Sequence, residues 1–252
     1  MLKDFRECIF DVLIQGGQSN AEGYGYGPVK EPFVPNEKIW YYDQEHFIMP
    51  ALELVCGNDI RGDFSLSFAT EYIKAGLLSE GRKLLIIRAA VGGTGFCDNR
   101  WGLSDDLFTN MMRMIKTALA LNAQNRLCAF LWHQGETDAV GMTPSEIHKQ
   151  NLYKLVSAVR ETYDCQNLPF IAGDFVHQWM NWVFHSTTPV TDAIREVCHT
   201  VGYAGFVETD GLLSNNQQIG IDDPIHFSRE ALYELGIRYF KAYEAILRRR
   251  KH

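Results

Sequence analysis

The chain has 252 residues, of which 46% are hydrophobic and 22% are charged, and its formal net charge is −7 at pH 7. These proportions are typical of a globular protein and exclude a disordered or collagenous chain. The length suits one α/β domain with a single core. The negative charge disfavours nucleic acid as a partner, because polyanions bind basic surfaces.

Short apolar runs alternate with longer amphipathic stretches along the chain. In chain order, the patterns predict a strand at residues 10–15, a helix at 67–78, a strand at 83–88, a helix at 105–121, a strand at 126–132, a helix at 143–163, a strand at 168–173, a helix at 190–201, a strand at 205–208 and a helix at 228–250. Thr143 and Glu146 are expected to form a capping box around Pro144, and Ser228 to cap the last helix.

This alternation predicts the fold class. Strands that alternate with helices form βαβ units, so we expect an α/β fold whose mostly parallel sheet is covered on both faces. No linker or repeat divides the chain, and we expect residues 1–252 to form a single domain. Residues 22–64 and 174–188 do not fit the alternation, and their length suits loops over a site.

The cysteines and the first residues bear on the compartment. Six cysteines are spread along the chain without a C-x-x-C pair or a metal-like spacing, which favours reduced thiols over disulfides. The first residues, MLKDFRECIFDVLI, lack the long apolar segment of a secretory signal. The sequence contains no run of roughly 18 apolar residues, which a membrane-spanning helix would need. We therefore expect a cytoplasmic protein without a membrane partner.

Four polar motifs follow predicted strands or precede the last helix. Gly-Gly-Gln-Ser-Asn follows the first strand at residues 16–20, Ala-Val-Gly-Gly-Thr-Gly the second at 90–95, and His-Gln-Gly-Glu the third at 133–136. Asp-Asp-Pro-Ile-His-Phe precedes the last helix at 222–227. Ligands of open parallel sheets bind beyond the carboxyl ends of the strands, so the motifs predict one site at that edge.

The residue types in these motifs suit a serine hydrolase. Serine needs a base that removes its proton and a carboxylate that orients the base, and Ser19, His226 and Asp223 supply these groups. The Gly92–Gly93 turn offers backbone N–H groups to an oxyanion, and Gln134 offers a side-chain amide. Each motif alone is weak, but four at one sheet edge favour an active site.

The four motifs together resemble the sequence blocks of the sialate O-acetylesterase and acetyl xylan esterase-like branch of SGNH hydrolases. The matching segments occur in the same order between residues 10 and 245, and they are Gly17-Gln18-Ser19-Asn20, Gly92-Gly93-Thr94, Trp132-His133-Gln134-Gly135-Glu136 and Asp223-x-x-His226-Phe227. The resemblance implies a three-layer α/β/α sandwich of the flavodoxin-like kind. It also implies hydrolysis of O-acetyl esters of carbohydrates without a metal or an organic cofactor.

The resemblance implies a role for each matching residue. Ser19 is the expected nucleophile, His226 the general base and acid, and Asp223 the orienting carboxylate. The oxyanion is expected to bind the Ser19 N–H, the Gly93 N–H and the Gln134 amide. Four further residues are expected to support the site: Gln18, Asn20, His133 and Glu136.

Two blocks depart from the wider superfamily. The first has Gln18 and Asn20 around the serine, where Gly-Asp-Ser-Leu is typical, and the third has Gln134 where an asparagine is typical. Two other carboxylates stay open as orienting groups beside Asp223, namely Asp222 and Glu136.

The substrate and three other functions stay open. Aromatic side chains in loops suit either sugar rings or the local core, and the core is the commoner place for them; these residues are Tyr24, Tyr26, Trp101, Trp179 and Trp182. Arg100 suits a sugar carboxylate, although an ordinary surface position is the commoner one. These patterns do not separate sialate from xylan-type sugars. A lipase-like or thioesterase-like enzyme requires a groove for a longer acyl chain, and a silent module only binds acetylated glycans. A metal hydrolase would recruit His133, Glu136 and His226, which lack the H-x-x-x-H spacing of helical zinc sites.

Overall fold

The computed structural model describes residues 5–249, and within them seven strands form one sheet. These strands are β1 (Ile9–Gly17), β2 (Ile39–Tyr42), β3 (Ile48–Pro50), β6 (Arg82–Arg88), β7 (Arg126–His133), β8 (Phe170–Gly173) and β9 (Ala204–Val207). A separate hairpin consists of β4 (Leu54–Cys56) and β5 (Asp59–Arg61). The sheet order is β3-β2-β6-β1-β7-β8-β9, and its neighbours are parallel except for β2 with β3.

Helices flank this sheet. They are α1 (Ser19–Glu22), α2 (Phe64–Lys74), α3 (Asp106–Ala120), α4 (Glu136–Val140), α5 (Ser145–Thr162), α6 (His177–Trp182), α7 (Phe184–Thr200), α8 (Asn215–Ile219) and α9 (Arg229–Arg249). α2 packs against α9, and α5 packs against α7. The predicted α/β fold with a mostly parallel sheet is confirmed. Among residues 5–249, none of the helices combines the length and apolar character needed to span a bilayer.

The composition of β1 explains its central place in the sheet. Phe10, Val12, Leu13 and Ile14 are fully buried, as expected of a strand covered on both faces. β1 pairs with β6 on one side and with β7 on the other. The residues that follow β1 therefore lie between those that follow β6 and β7, at the middle of the carboxyl edge.

Two helices begin earlier than the sequence patterns predict. α2 begins at Phe64 rather than at residue 67, because Asp63 caps it: the Asp63 Oδ1 accepts the Ser65 N–H at 2.8 Å. α7 begins at Phe184 rather than at residue 190, and Pro189 lies inside it. A proline is disfavoured inside a helix, and the helix nevertheless continues through it, so the predicted start is too late.

The capping predictions had different outcomes. The capping box at Thr143 is wrong, because Pro144 is the N-cap residue and the Thr143 hydroxyl donates instead to Asp138 Oδ1 at 3.3 Å. The cap at Ser228 is confirmed, since its Oγ accepts the Ala231 N–H at 3.2 Å. The last helix is described to Arg249, and the predicted end at residue 250 lies outside the described residues.

The two segments predicted as long loops contain regular structure. Residues 22–64 include β2 and β3, which extend the sheet, and the hairpin β4–β5. Residues 174–188 include α6 and the start of α7. β2 has four residues, all buried, and such a short run between segments rich in glycine and proline gives little periodic signal.

Candidate active site

A sharp backbone turn after β1 presents Ser19 at the carboxyl edge of the sheet. Gly17 has a φ of 127°, and a Cβ atom there would lie 2.1 Å from the carbonyl oxygen of His133. Only glycine fits both the conformation and the close approach. Ser19 then begins α1, with 6% of its surface exposed.

Ser19, His226 and Asp223 form a hydrogen-bonded chain. The His226 Nε2 lies 2.9 Å from the Ser19 Oγ, and its Nδ1 lies 2.9 and 3.0 Å from the two carboxylate oxygens of Asp223. An ionised carboxylate only accepts hydrogen bonds, so the imidazole proton resides on Nδ1 and Nε2 accepts from the serine hydroxyl. This arrangement can transfer the serine proton to the imidazole.

Asp223, rather than its exposed neighbour Asp222, contacts the histidine. Burial alone would raise the pKa of Asp223, but hydrogen bonds from His226 and Asn215 hold this pKa below its usual range. The Asn215 Nδ2 donates to Asp223 Oδ2 at 2.7 Å and to the Tyr24 carbonyl at 2.9 Å. Asn215 is fully buried, and no sequence motif pointed to it.

Tyr24 covers the other side of the histidine. Its ring stacks on the His226 ring with centroids 5.3 Å apart and an interplanar angle of 28°. The guanidinium of Arg61, at the end of β5, lies 4.3 Å from the Tyr24 ring centroid. This stack restricts the imidazole to the plane in which it contacts Ser19.

Two backbone N–H groups are free to bind an oxyanion. Among the described residues, neither the Ser19 N–H nor the Gly93 N–H donates to another protein atom. The Gly92 N–H is occupied, because it donates to the Glu22 Oε2 at 2.6 Å. Gly93 has a φ of 68°, in the left-handed region that favours glycine.

A buried carboxylate, Asp138, holds the loop that carries Gly93. Its side chain accepts the N–H groups of Phe96 at 3.1 Å and Cys97 at 2.8 Å. A Cβ atom on Gly95 would lie 2.8 Å from Asp138 Oδ2, so glycine permits this close packing. Asp138 stands two residues after the His-Gln-Gly-Glu motif, and the sequence patterns did not single it out.

The geometry argues against the oxyanion role predicted for Gln134. Its Nε2 donates to Asp138 Oδ2 at 2.5 Å, the residue is only 1% exposed, and it does not line the cleft at Ser19. Gln18 does line that cleft. Gln134 thus contributes to the support of the Gly93 loop, whereas Gln18 stands beside Ser19.

Asn20 joins three of the four motifs. Its Nδ2 donates to Glu136 Oε1 at 2.7 Å and to the Ile225 carbonyl at 3.1 Å, and its Oδ1 accepts the Phe227 N–H at 3.0 Å. Burial raises the pKa of Glu136. The Glu136 carboxyl group thus forms its hydrogen bond with Asn20, whereas Asp223 is the carboxylate that contacts the imidazole of His226.

His133 is a structural residue under the sheet edge. It is fully buried, and burial lowers its pKa to about 3, so the imidazole is neutral. Its Nδ1 lies 2.9 Å from the hydroxyl of Tyr239, which donates to the Trp132 carbonyl at 2.8 Å. These contacts join the end of β7 to α9.

The site opens into a small cleft of about 340 Å³. Its lining comprises Gln18, Ser19, Tyr24, Gly92, Gly93, Glu136, Thr137, Val140, Ile225 and His226. Larger clefts of about 550 and 480 Å³ lie elsewhere and are not lined by Ser19 or His226. Among the described residues, no three histidine, cysteine, aspartate or glutamate side chains cluster as metal ligands.

Of the five loop aromatic residues, for which both the site border and the local core were open, Tyr24 lines the cleft and the others do not. Trp101 is fully buried and donates to the Thr94 hydroxyl at 3.0 Å, so it belongs to the core. Trp179 is buried in α6, and Trp182, 61% exposed, is on the same helix. Arg100 pairs with Asp106 at 2.8 Å on the surface, in agreement with the commoner alternative of a surface arginine.

Comparison with known families gives one match that spans most of the chain. The family model SASA, described as a carbohydrate esterase, sialic acid-specific acetylesterase, matches residues 9–245. No curated protein matches the sequence.

Several solved structures are similar in fold. NanS has a TM-score of 0.81 at 19% identity, over 96% of this chain and 98% of that chain. A protein from Arabidopsis thaliana has a TM-score of 0.71 at 20% identity, over 93% and 98%. A carbohydrate acetylesterase from Xanthomonas citri has a TM-score of 0.58 at 15% identity, over 94% and 56%. At these identities the likeness shows a shared fold.

Proposed function

The chain belongs to the carbohydrate esterase family of sialic acid-specific acetylesterases, and we propose that it hydrolyses O-acetyl esters through an acetyl-enzyme formed on Ser19. Family membership makes it a carboxylic ester hydrolase acting on acetylated carbohydrates. The observation that carries the serine mechanism is the 2.9 Å contact between Ser19 Oγ and His226 Nε2, with Asp223 on the other imidazole nitrogen. The proposed catalytic triad is therefore Ser19, His226 and Asp223.

In the first half-reaction, His226 removes the proton from Ser19, and the Oγ attacks the acetyl carbonyl carbon. The negative charge that develops on the carbonyl oxygen is stabilised by the Ser19 and Gly93 N–H groups. Asp223 stabilises the imidazolium that forms. When the tetrahedral intermediate collapses, the bond to the sugar oxygen breaks, and this oxygen leaves with the proton from His226.

In the second half-reaction, His226 removes a proton from water, and the hydroxide attacks the acetyl group on Ser19. The same N–H groups bind the second oxyanion. Collapse of this intermediate breaks the bond to the Ser19 Oγ, which takes the proton back from His226, and acetate is released.

The size of the cleft supports an acetyl rather than a longer acyl group. About 340 Å³ is at the lower end of small-molecule sites, and it must also hold part of the sugar. We expect kcat/KM to fall steeply from acetyl to butyryl p-nitrophenyl esters. A rise along this series would favour the lipase-like or thioesterase-like alternative.

The test of the serine mechanism is hydrolysis of p-nitrophenyl acetate by the purified protein and its Ser19→Ala variant. We expect turnover by the wild type and a loss of at least about 10³-fold in the variant, because the nucleophile is absent. A variant as active as the wild type would overturn the mechanism. Inactivity of the wild type on this ester and on a panel of acetylated sugars would favour a silent binding module.

Domain organisation and location are part of the proposal. The motif-bearing strands β1, β6 and β7 are neighbours in one sheet, which supports a single catalytic domain over residues 1–252. We propose a cytoplasmic location because the six cysteines are free thiols in the structure, as is usual in a reducing compartment. Cell fractionation with an antibody against the chain tests this location.

A further inference from the structure

We infer that Gln18, through its side-chain amide, is the third donor to the oxyanion, in the place that the sequence assigned to Gln134. This inference rests on the acetyl-enzyme mechanism proposed above. It assigns a direct contact with the reacting atoms to a residue that the sequence placed among the supporting groups.

The carbonyl end of the Gln18 side chain is fixed by the first residues of α4. Its Oε1 accepts the Thr137 N–H at 3.1 Å, and it also accepts the Gly135 N–H and the Gln134 amide at 3.4 Å. Backbone N–H groups can only donate, so the oxygen must face them and the amide nitrogen must face the other way. The orientation of this side chain is thus set before a substrate arrives.

The amide nitrogen of Gln18 is unpartnered and accessible. Among the described residues, no protein atom accepts a hydrogen bond from it. Gln134 Oε1 and Glu136 Oε2 are also unpartnered, but these two atoms are fully enclosed by protein. The Gln18 Nε2 is not enclosed, so solvent or substrate can reach it. Because Gln18 itself is 3% exposed and lines the cleft, the access of this nitrogen is to the cleft.

In ester hydrolysis, a hydrogen-bond donor at this position can stabilise the oxyanion. Charge develops on the carbonyl oxygen only in the transition state, and donors that are already oriented stabilise it without reorganisation. Ser19, Gly93 and Gln18 all line the same cleft. Gln134 is less suited to donate to the oxyanion, because its Nε2 donates to Asp138 at 2.5 Å and the residue does not line the cleft.

The experiment compares kcat and KM for p-nitrophenyl acetate in the wild type and in Gln18→Glu. The substitution keeps an oxygen for the Thr137 and Gly135 N–H groups and removes the N–H donors. We expect kcat to fall by about 10²- to 10³-fold with KM changed by less than about threefold, as for loss of an oxyanion donor. The ratio of variant to wild-type kcat should rise as the pH falls, because a protonated carboxyl can donate its O–H; the ratio cancels the protonation of His226, which affects both proteins.

Three further variants make the result specific. Gln166→Glu adds the same charge at an exposed loop before β8 and should leave kcat unchanged. Gln18→Met removes the donor without adding charge, and it should show the same loss of kcat if Gln18→Glu does not fold. Gln134→Met removes the competing amide.

Normal kcat in a folded Gln18→Met, or a loss confined to a folded Gln134→Met, would overturn the inference. The Ser19→Ala variant separates this failure from failure of the mechanism. If Ser19→Ala is inactive while both Gln18 variants are normal, the nucleophile stands and only the third donor is misassigned. If Ser19→Ala is active, the acetyl-enzyme itself is wrong.

Discussion

Replacing Asn215 by aspartate should lower kcat strongly without unfolding the protein. Asn215 is fully buried, and its Nδ2 lies 2.7 Å from Asp223 Oδ2. Its Oδ1 accepts the Tyr26 N–H at 2.8 Å. Asn215→Asp keeps this acceptor and the shape of the side chain, but it replaces the donor to Asp223 with a second carboxylate.

The expected magnitude follows from the bond that is lost. A hydrogen bond to a charged group contributes about 1.5–3 kcal/mol, which corresponds to a loss of about 10- to 150-fold if the carboxylate then no longer orients His226. Two carboxylates at this distance cannot both stay ionised, so one takes a proton and the pKa of the pair rises. Because a shared proton restores a hydrogen bond, the defect should be smaller at pH 5 than at pH 8.

The assay is kcat for p-nitrophenyl acetate across this pH range, with thermal melting to show that the variant is folded. Asn216→Asp is the matched control, because it makes the same charge change in the next residue, whose side chain contacts the Ile221 carbonyl and not the Asp223 carboxylate. A folded Asn215→Asp variant with kcat within about threefold of the wild type would refute the reasoning.

Two further substitutions test buried carboxylates. Asp138→Asn turns an N–H donor toward the N–H of Phe96 or Cys97, so we expect urea titrations to show a free energy of unfolding lower by about 1–3 kcal/mol. We also expect kcat to fall while KM changes little. An unchanged kcat would show that the position of the Gly93 loop does not depend on these hydrogen bonds. Burial raises the pKa of Asp174 from 3.8 to about 6, so between these pH values the native state binds more protons than the unfolded chain, and stability falls as the pH rises. Asp174→Asn should therefore raise the free energy of unfolding at pH 7, by at most about 3 kcal/mol, and have little effect at pH 4; urea titrations showing equal effects at both pH values would contradict this.

The sequence predicted the parts of the site that lie in strand-end motifs. Ser19, Gly93 and His226 follow or precede regular elements with clear patterns, and parallel strands bring such positions to one edge by topology alone. The same argument predicted the α/β fold, because βαβ alternation leaves few topologies.

Residues that act through long-range contacts could not be predicted in this way. Asn215 reaches Tyr24 across 191 positions of sequence, and Asp138 reaches Phe96 across 42, and neither contact leaves a local pattern. The geometry argues against the oxyanion role of Gln134 for a related reason: residue type shows that an amide can donate a hydrogen bond, but it does not show which acceptor the amide meets. Indole suits both a sugar ring and a protein core, so residue type left both open for Trp101, and its indole N–H is used inside the core.

The contacts of Asn20 also govern when during synthesis the active site can form. This one side chain binds Glu136, 116 positions later, and the Phe227 N–H, 207 positions later. Ribosomes make chains from the N-terminus at about 5–20 residues per second, so Ser19 emerges well before Asp223 and His226 are made. If the proposed triad is correct, we expect activity in a translation reaction to appear only after the segment with Asp223 and His226 has left the ribosome and folded against β1.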